Sequence, residues 1–480
     1  MDIKQNMTML MDFYELTMSN GYLEHGVGGK IACFDMFFRK VPDDGGFAIM
    51  AGLGQLIEYI SELKFSTEDV EYLRSKGIFS EKFLEYLANF EFSCDVYAIP
   101  EGTPIFPGEP IVKVIGPVME AQLIETMVLL TINHQCLIAT KSNRIVRAAK
   151  GRPVMEFGSR RAQGAYGAIY GARASYIAGC CGTACTICDE RYGIPALGTM
   201  AHSWVQLFDS EYEAFLAYAK TYPQSCTLLI DTYNVINSGL PNAIKVFKEY
   251  LIPNGYKPAG VRIDSGDITY LTKKVRTILD REGLGDVNIV VSNSLDEYII
   301  RDLLNQGACI DSFGVGERLI TSKSEPVFGG VYKLAAVFDG DREIPKIKLS
   351  ENIAKITTPC NKKLVRLYSK DNDKAIADLM LLSDEPTPDG SDYVIFDPEH
   401  TWKRKTVTNY YAIELLVPVF KKGKCVYTSP DTEKIRTYCA EQIDGLWDEV
   451  KRFENPHNYY VDLSQKLWNI KNDLLNEHKN

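Results

Sequence analysis

Apolar and polar positions in the first third of the chain repeat at two spacings, and each spacing predicts an element. From Asp12 to Tyr22 the period is helical: Phe13, Leu16 and Asn20 share one face, Met11, Tyr14 and Met18 another. Ile31 to Arg39 reads as a strand, Asp43 to Gly46 as a turn, and Leu53 to Leu63 as a helix. Between Val96 and Val118, short apolar stretches are punctuated by Pro100, Gly102, Pro104, Pro107, Gly108, Pro110, Gly116 and Pro117, which predicts a small β-rich unit. Ala121 to Ala149 reads as one or two apolar helices leading into a second domain.

From Arg152 the pattern changes. Short apolar runs recur at Pro153–Phe157, Ile194–Met200, Thr227–Ile230, Gly260–Ile263, Asn288–Val291, Ile310–Phe313 and Tyr332–Val337, with helical stretches between them. Such βα alternation implies a parallel sheet, open or closed into a barrel, with ligands beyond the carboxyl ends of its strands. Unusual chemistry follows these runs: F-G-S-R-R-A-Q-G (157–164), A-H-S-W (201–204), D-T-Y-N (231–234), D-S-G-D (264–267), S-N-S (292–294) and G-V-G-E-R-L (314–319).

In G-V-R-I-D-S-G-D (260–267), Ser265 and Gly266 break a strand beside one cation, Arg262, and two carboxylates, Asp264 and Asp267. Guanidinium beside carboxylate suits a ligand bearing phosphate and hydroxyl groups, often with a metal; a structural ion pair is the plainer reading. Arg160 or Arg161 could bind an anion while the other pairs structurally. Gly314 and Gly316 leave backbone N–H groups able to approach a phosphate, with Arg318 nearby, although a tight turn explains them too. His202 is either packed or catalytic, and Asp231 could orient it. Cys180, Cys181, Cys185 and Cys188 lack two separated C-x-x-C pairs, and Gly182-Thr183 reads as the start of a helix that spreads them, so zinc is rejected.

Composition narrows the function classes. The chain has 480 residues, 45% hydrophobic and 24% charged, as in ordinary globular proteins of two to four domains. A formal net charge of -10 argues against nucleic-acid or anionic-membrane binding, so an anionic ligand needs a local cluster of arginines. The first twelve residues lack the pattern of a secretion leader, and no apolar run of membrane-spanning length is recognised. Twelve cysteines in a chain this long do not make a disulfide framework, which fits a cytoplasmic setting.

The ordered set M-D-F-Y-E-L-T-M (11–18), E-G-T-P-I-F-P-G-E-P (101–110), F-G-S-R-R-A-Q-G, G-T-M-A-H-S-W (198–204), R-I-D-S-G-D, F-G-V-G-E-R-L and N-P-H-N-Y-Y-V-D-L-S (455–464) resembles the nicotinate phosphoribosyltransferase family, a type II phosphoribosyltransferase family of NAD biosynthesis. The resemblance implies an N-terminal α/β domain (1–135), an irregular TIM-like α/β barrel (136–338) and a C-terminal α/β extension (339–480), assembled as a homodimer with shared sites. The polar stretch 339–399 supports it least.

The implied reaction joins nicotinate to 5-phosphoribosyl 1-diphosphate, coupled to ATP hydrolysis through a phosphohistidine at His202 oriented by Asp231. Arg262 and Asp264 would hold the ribose and diphosphate, with Mg²⁺ on Asp264 and Asp267. Gly314 and Gly316 would face the 5-phosphate. Phe157, with Tyr14 from a partner subunit, would sandwich the pyridine, with Arg160 as its cation, and Thr183, Ser265, Gly266, Ser292, Asn293 and Arg318 would also contact substrate. Related nicotinamide-using enzymes resemble G-T-D where this chain has Gly182-Thr183-Ala184, which favours the acid as substrate. Family members commonly show Ser-Asn after that Gly-Thr, and Ala184-Cys185 departs from this. A nicotinamide-using or other barrel phosphoribosyl enzyme and a non-catalytic phosphosugar sensor are the alternatives.

Overall fold

Valine, isoleucine and leucine runs that end in glycine or a polar residue form a parallel sheet wherever helices cover both of its faces. The computed structural model describes residues 6–352 and 355–477, so the leader reading of residues 1–5 lies outside the described residues. The chain divides into two units. One comprises Ile138–Pro326 with Asp431–Arg436; the other comprises Met1–Leu137, Val327–Pro430 and Thr437–Asn480.

The Ile138–Pro326 unit carries six parallel strands: β1 (Val154–Glu156), β2 (Gly182–Thr183), β3 (Thr227–Leu229), β4 (Gly260–Ile263), β5 (Asn288–Asn293) and β6 (Ser312–Val315). Their order is β2-β1-β6-β5-β4-β3. Val261, Ile263, Ile289, Val291, Phe313 and Val315 alternate onto one face and are fully buried, while Val290 and Ser292 are buried on the other. Asp267 caps the helix Ile268–Arg281 by accepting from Tyr270 N at 2.9 Å. Asp296 caps Glu297–Asn305 by accepting from Tyr298 N and Ile299 N.

The structure corrects the expected TIM-like barrel. Among the described residues no ladder joins the two edges of this sheet, so it is open. Ile194–Met200, expected as a strand, contributes a single bridge, Ala196 to Thr183. Pro195 has no N–H to donate, and Gly198 adds no side chain to pack. The helix expected from Gly182 begins instead at Thr186, because Gly182-Thr183 is β2.

The other unit is built on a seven-stranded antiparallel sheet. Its order is Arg342–Pro345, Val331–Asp339, Ile31–Phe37, Val112–Pro117, Asp95–Ala98, Val417–Lys421 and Lys424–Cys425. Tyr332–Val337, expected in the parallel sheet, therefore pairs antiparallel with Ile31–Phe37. A second sheet runs Tyr410–Glu414, Lys362–Ser369, Ala375–Leu382 and Val461–Leu463.

Inside the second sheet Arg366 and Asp378 are fully buried and paired through two hydrogen bonds of 2.7 and 2.6 Å. The apolar stretch predicted as one or two helices is Val118–Gln122 and Glu125–Ala148. Contrary to the sequence reading, Val118–Ala148 is long and apolar enough to cross a membrane, but it is largely buried in the protein, as a core helix is.

Candidate active site

The carboxyl ends of β3, β4 and β5 share one hydrogen-bonded cluster. Asp264, directly after β4, accepts from Ser292 Oγ at 2.6 Å through Oδ1, and its Oδ2 lies 3.9 Å from His202 Nε2. His202 opens the short helix His202–Leu207, and its Nδ1 lies 3.1 Å from Thr232 Oγ1. Asp231 turns elsewhere: its Oδ2 accepts from Asp264 N at 3.0 Å and from Ser265 Oγ at 2.6 Å. Asp231 thus shapes the D-S-G-D loop, and the hydroxyl one residue later holds the imidazole.

Gly266 has φ +87, a left-handed conformation that turns this loop tightly. Asn293 also has a positive φ, +152, unusual for a residue with a side chain, and it ends β5 beside Ser292.

Arg262 projects from β4 with Nη1 bonded to Thr199 Oγ1. Burial lowers its pKa, the Asp264 and Asp231 charges oppose that shift, and the Arg160 charge adds to it. Two guanidinium groups therefore act on one another beside two carboxylates, an arrangement that an oligophosphate would neutralise. Arg160 and Arg161 sit exposed in the single turn Ser159–Arg161 after β1.

A second cluster joins β1, β2 and β6. Phe157 N donates to Val315 O at 2.7 Å. The Phe157 ring lies so close to Gly314 that a Cβ there would come within 2.6 Å of it, and a Cβ on Gly316 would sit 3.0 Å from the Phe157 carbonyl oxygen. These glycines admit Phe157, a need that the G-x-G pattern alone does not reveal. The Thr183 hydroxyl donates to Glu156 at 2.6 Å and accepts from Cys185 N at 3.0 Å, so its proton is committed inside the protein. Arg318 pairs through Nη1 with Asp296.

Arg160, Asp231, Asp264 and Gly316 follow strands of the parallel sheet, His202 meets them through Thr232 and Asp264, and the side chains of His202 and Asp264 are 40% and 36% exposed. Asp267 is spent partly on its helix cap. Among the described residues no three His, Cys, Asp or Glu side chains form a metal cluster. Tyr14 belongs to the other unit, on the helix Phe13–Glu24, where Phe13, Tyr14 and Met18 are exposed. Thr232, Glu156, Thr199 and Asp296 were not singled out from sequence; only the position of Thr232, directly after Asp231, hinted at any of them.

Residues 9–133 match the nicotinate phosphoribosyltransferase (NAPRTase) N-terminal domain, 153–379 the NAPRTase family, and 361–471 the C-terminal domain. The nicotinate phosphoribosyltransferase of Bacillus subtilis is 40% identical over 99% of this chain and 96% of its own length. The chain belongs to the nicotinate phosphoribosyltransferase family. The human nicotinate phosphoribosyltransferase is 30% identical over 97% of this chain and 96% of its own. A crystal structure of human nicotinic acid phosphoribosyltransferase superposes with a TM-score of 0.84 at 28% identity, covering 97% of this chain and all of that one. The nicotinate-nucleotide pyrophosphorylase of Pyrococcus furiosus, at 22% identity and a TM-score of 0.71, shares the fold.

Proposed function

We propose that this chain joins nicotinate to 5-phosphoribosyl 1-diphosphate, forming nicotinate mononucleotide and pyrophosphate on the way to NAD. The observation that carries this reading is the Arg262–Asp264–His202 cluster, with Arg160 adding a second cation at the same rim. The ring nitrogen attacks C1 of the ribose as the bond from C1 to the diphosphate oxygen breaks. Positive charge builds on the sugar and negative charge on the leaving group. Asp264 faces the first; Arg262 and Arg160 face the second.

Phe157 supplies one wall of a flat slot for the pyridine, and Tyr14 of a second copy supplies the other. The exposed Phe13, Tyr14 and Met18 on one short helix support such a homodimer. Exposed Ala184 brings no carboxylate against the substrate's own, which favours the acid over the amide.

ATP enters as co-substrate: its γ-phosphoryl group passes to Nε2 of His202 with release of ADP, and water later takes that group as inorganic phosphate, restoring the imidazole. With Thr232 accepting from Nδ1–H, Nε2 keeps the lone pair that this transfer needs. Mg²⁺ fits the residues present: Asp231 Oδ1 is buried without a partner and Asp264 lies beside it, matching an ion held by one or two carboxylates plus substrate phosphates. When bound, it neutralises diphosphate charge. Twelve free cysteines support a reducing, cytoplasmic setting.

The test is chromatographic detection of nicotinate mononucleotide from nicotinate, 5-phosphoribosyl 1-diphosphate, ATP and Mg²⁺. In His202→Ala, the ATP stimulation is expected to disappear. No product from the parent chain would refute the proposal.

A further inference from the structure

Glu156, the last residue of β1, is fully buried, and among the described residues no cation pairs with it. Burial raises its pKa, with its two hydrogen bonds opposing the shift. Both carboxylate oxygens are used. Oε1 accepts from Gly158 N, across the Phe157 backbone, and Oε2 accepts from the Thr183 hydroxyl. Its carbonyl oxygen accepts from Ala184 N at 2.8 Å, and its backbone pairs with Thr183 on one side and Val315 on the other. A charged group kept in such a place is costly unless its hydrogen bonds secure something.

We propose that Glu156 is the positioning residue of the pyridine slot, clamping the Phe157–Gly158 turn to the Thr183–Cys185 turn so that the aromatic wall and the acid-selecting edge keep a fixed spacing. Its two acceptors hold the turns after β1 and β2. The Asp231–Asp264–Ser292 cluster at β3 to β5 receives no hydrogen bond from Glu156. Loss of the clamp therefore affects the pyridine and spares the phosphosugar.

This inference rests on the proposed function for its kinetic consequence and on geometry alone for the clamp, so two readouts separate them. Glu156→Gln keeps the side-chain volume but replaces a charged double acceptor with an amide whose NH₂ must face one donor. Thr183→Val removes the hydroxyl at constant volume, and Thr183→Ser restores it. Without substrate, hydrogen exchange in residues 157–164 and 182–186 is expected to speed up about tenfold together in Glu156→Gln and Thr183→Val, with 263–267 unchanged. With substrates, the nicotinate KM is expected to rise about tenfold in both variants, with the phosphosugar KM within about twofold of the parent value. The double variant should be no worse than either single one, because both break the same clamp. Unchanged exchange in the two turns, or equal rises in both KM values, would overturn the inference. An active clamp in a chain that does not turn over nicotinate would overturn the proposed function instead.

Discussion

His202 Nδ1 lies 3.1 Å from the hydroxyl of Thr232, while the carboxylate of its neighbour Asp231 points into the loop that carries Asp264. A hydroxyl and a carboxylate on adjacent residues thus do separate work at one strand end. Thr232→Val should cut phosphorylation of His202 from γ-labelled ATP about tenfold, with Thr232→Ser near the parent level. Asp231→Asn should instead raise the KM for 5-phosphoribosyl 1-diphosphate, since it weakens the bonds to Asp264 N and Ser265 Oγ. Labelling that fails only in Asp231→Asn would reverse these assignments.

At Gly314 the steric margin is small. A Cβ there would meet the Phe157 ring at 2.6 and 2.7 Å, inside any ordinary contact. Gly314→Ala should displace the ring and raise the nicotinate KM at least about tenfold, leaving a folded protein by circular dichroism. An unchanged KM would show that Phe157 has room to move.

Two buried carboxyl groups in the unit containing the seven-stranded antiparallel sheet make its stability depend on pH. Burial raises Glu15 from 4.5 to about 7, helped by the charge of Glu125 and opposed by bonds from Thr126. Burial, with the Asp397 charge, raises Asp462 from 3.8 to about 7. A raised folded pKa means that the folded state holds its proton more tightly. The resulting stability is full below the unfolded values and is lost as pH rises to about 7. The thermal midpoint should therefore climb between pH 8 and pH 5, and Glu15→Gln with Asp462→Asn should flatten that slope. A midpoint rising with pH over this window would contradict the assignment.

The Arg366–Asp378 pair is fully buried, with Tyr459 OH donating to Asp378 at 2.9 Å. Removing one charge leaves the other without compensation, so Asp378→Asn should cost about 3–5 kcal/mol by denaturant titration. A loss below about 1 kcal/mol would mean that the pair relaxes toward solvent.

Much of this was legible because the parallel strands announce themselves. Gly260–Ile263 puts Val261 and Ile263 on one buried face and stops at Asp264, and the observed strand has those bounds. Side-chain partnership was less legible. Nothing in D-T-Y-N says whether Asp231 or Thr232 meets His202, since that depends on how far the loop after β3 turns. The sheet edge was misjudged for a related reason: Ile194–Met200 has the apolar content of a strand, but Pro195 lacks the N–H that a ladder requires. The stretch 339–399 read as merely polar. Its strands Lys362–Ser369 and Ala375–Leu382 hide Arg366 and Asp378 in their interior, and charges in a run usually signal solvent.

The central claim is that this rim transfers a phosphoribosyl group to the pyridine acid. Pyrophosphate release, measured with nicotinate, nicotinamide and quinolinate in turn, with and without ATP, tests it most directly. The account predicts release with nicotinate, faster when ATP is present, and at least about tenfold less with the other two pyridines. Equal or faster release with nicotinamide or quinolinate, or none with any of the three, would contradict it.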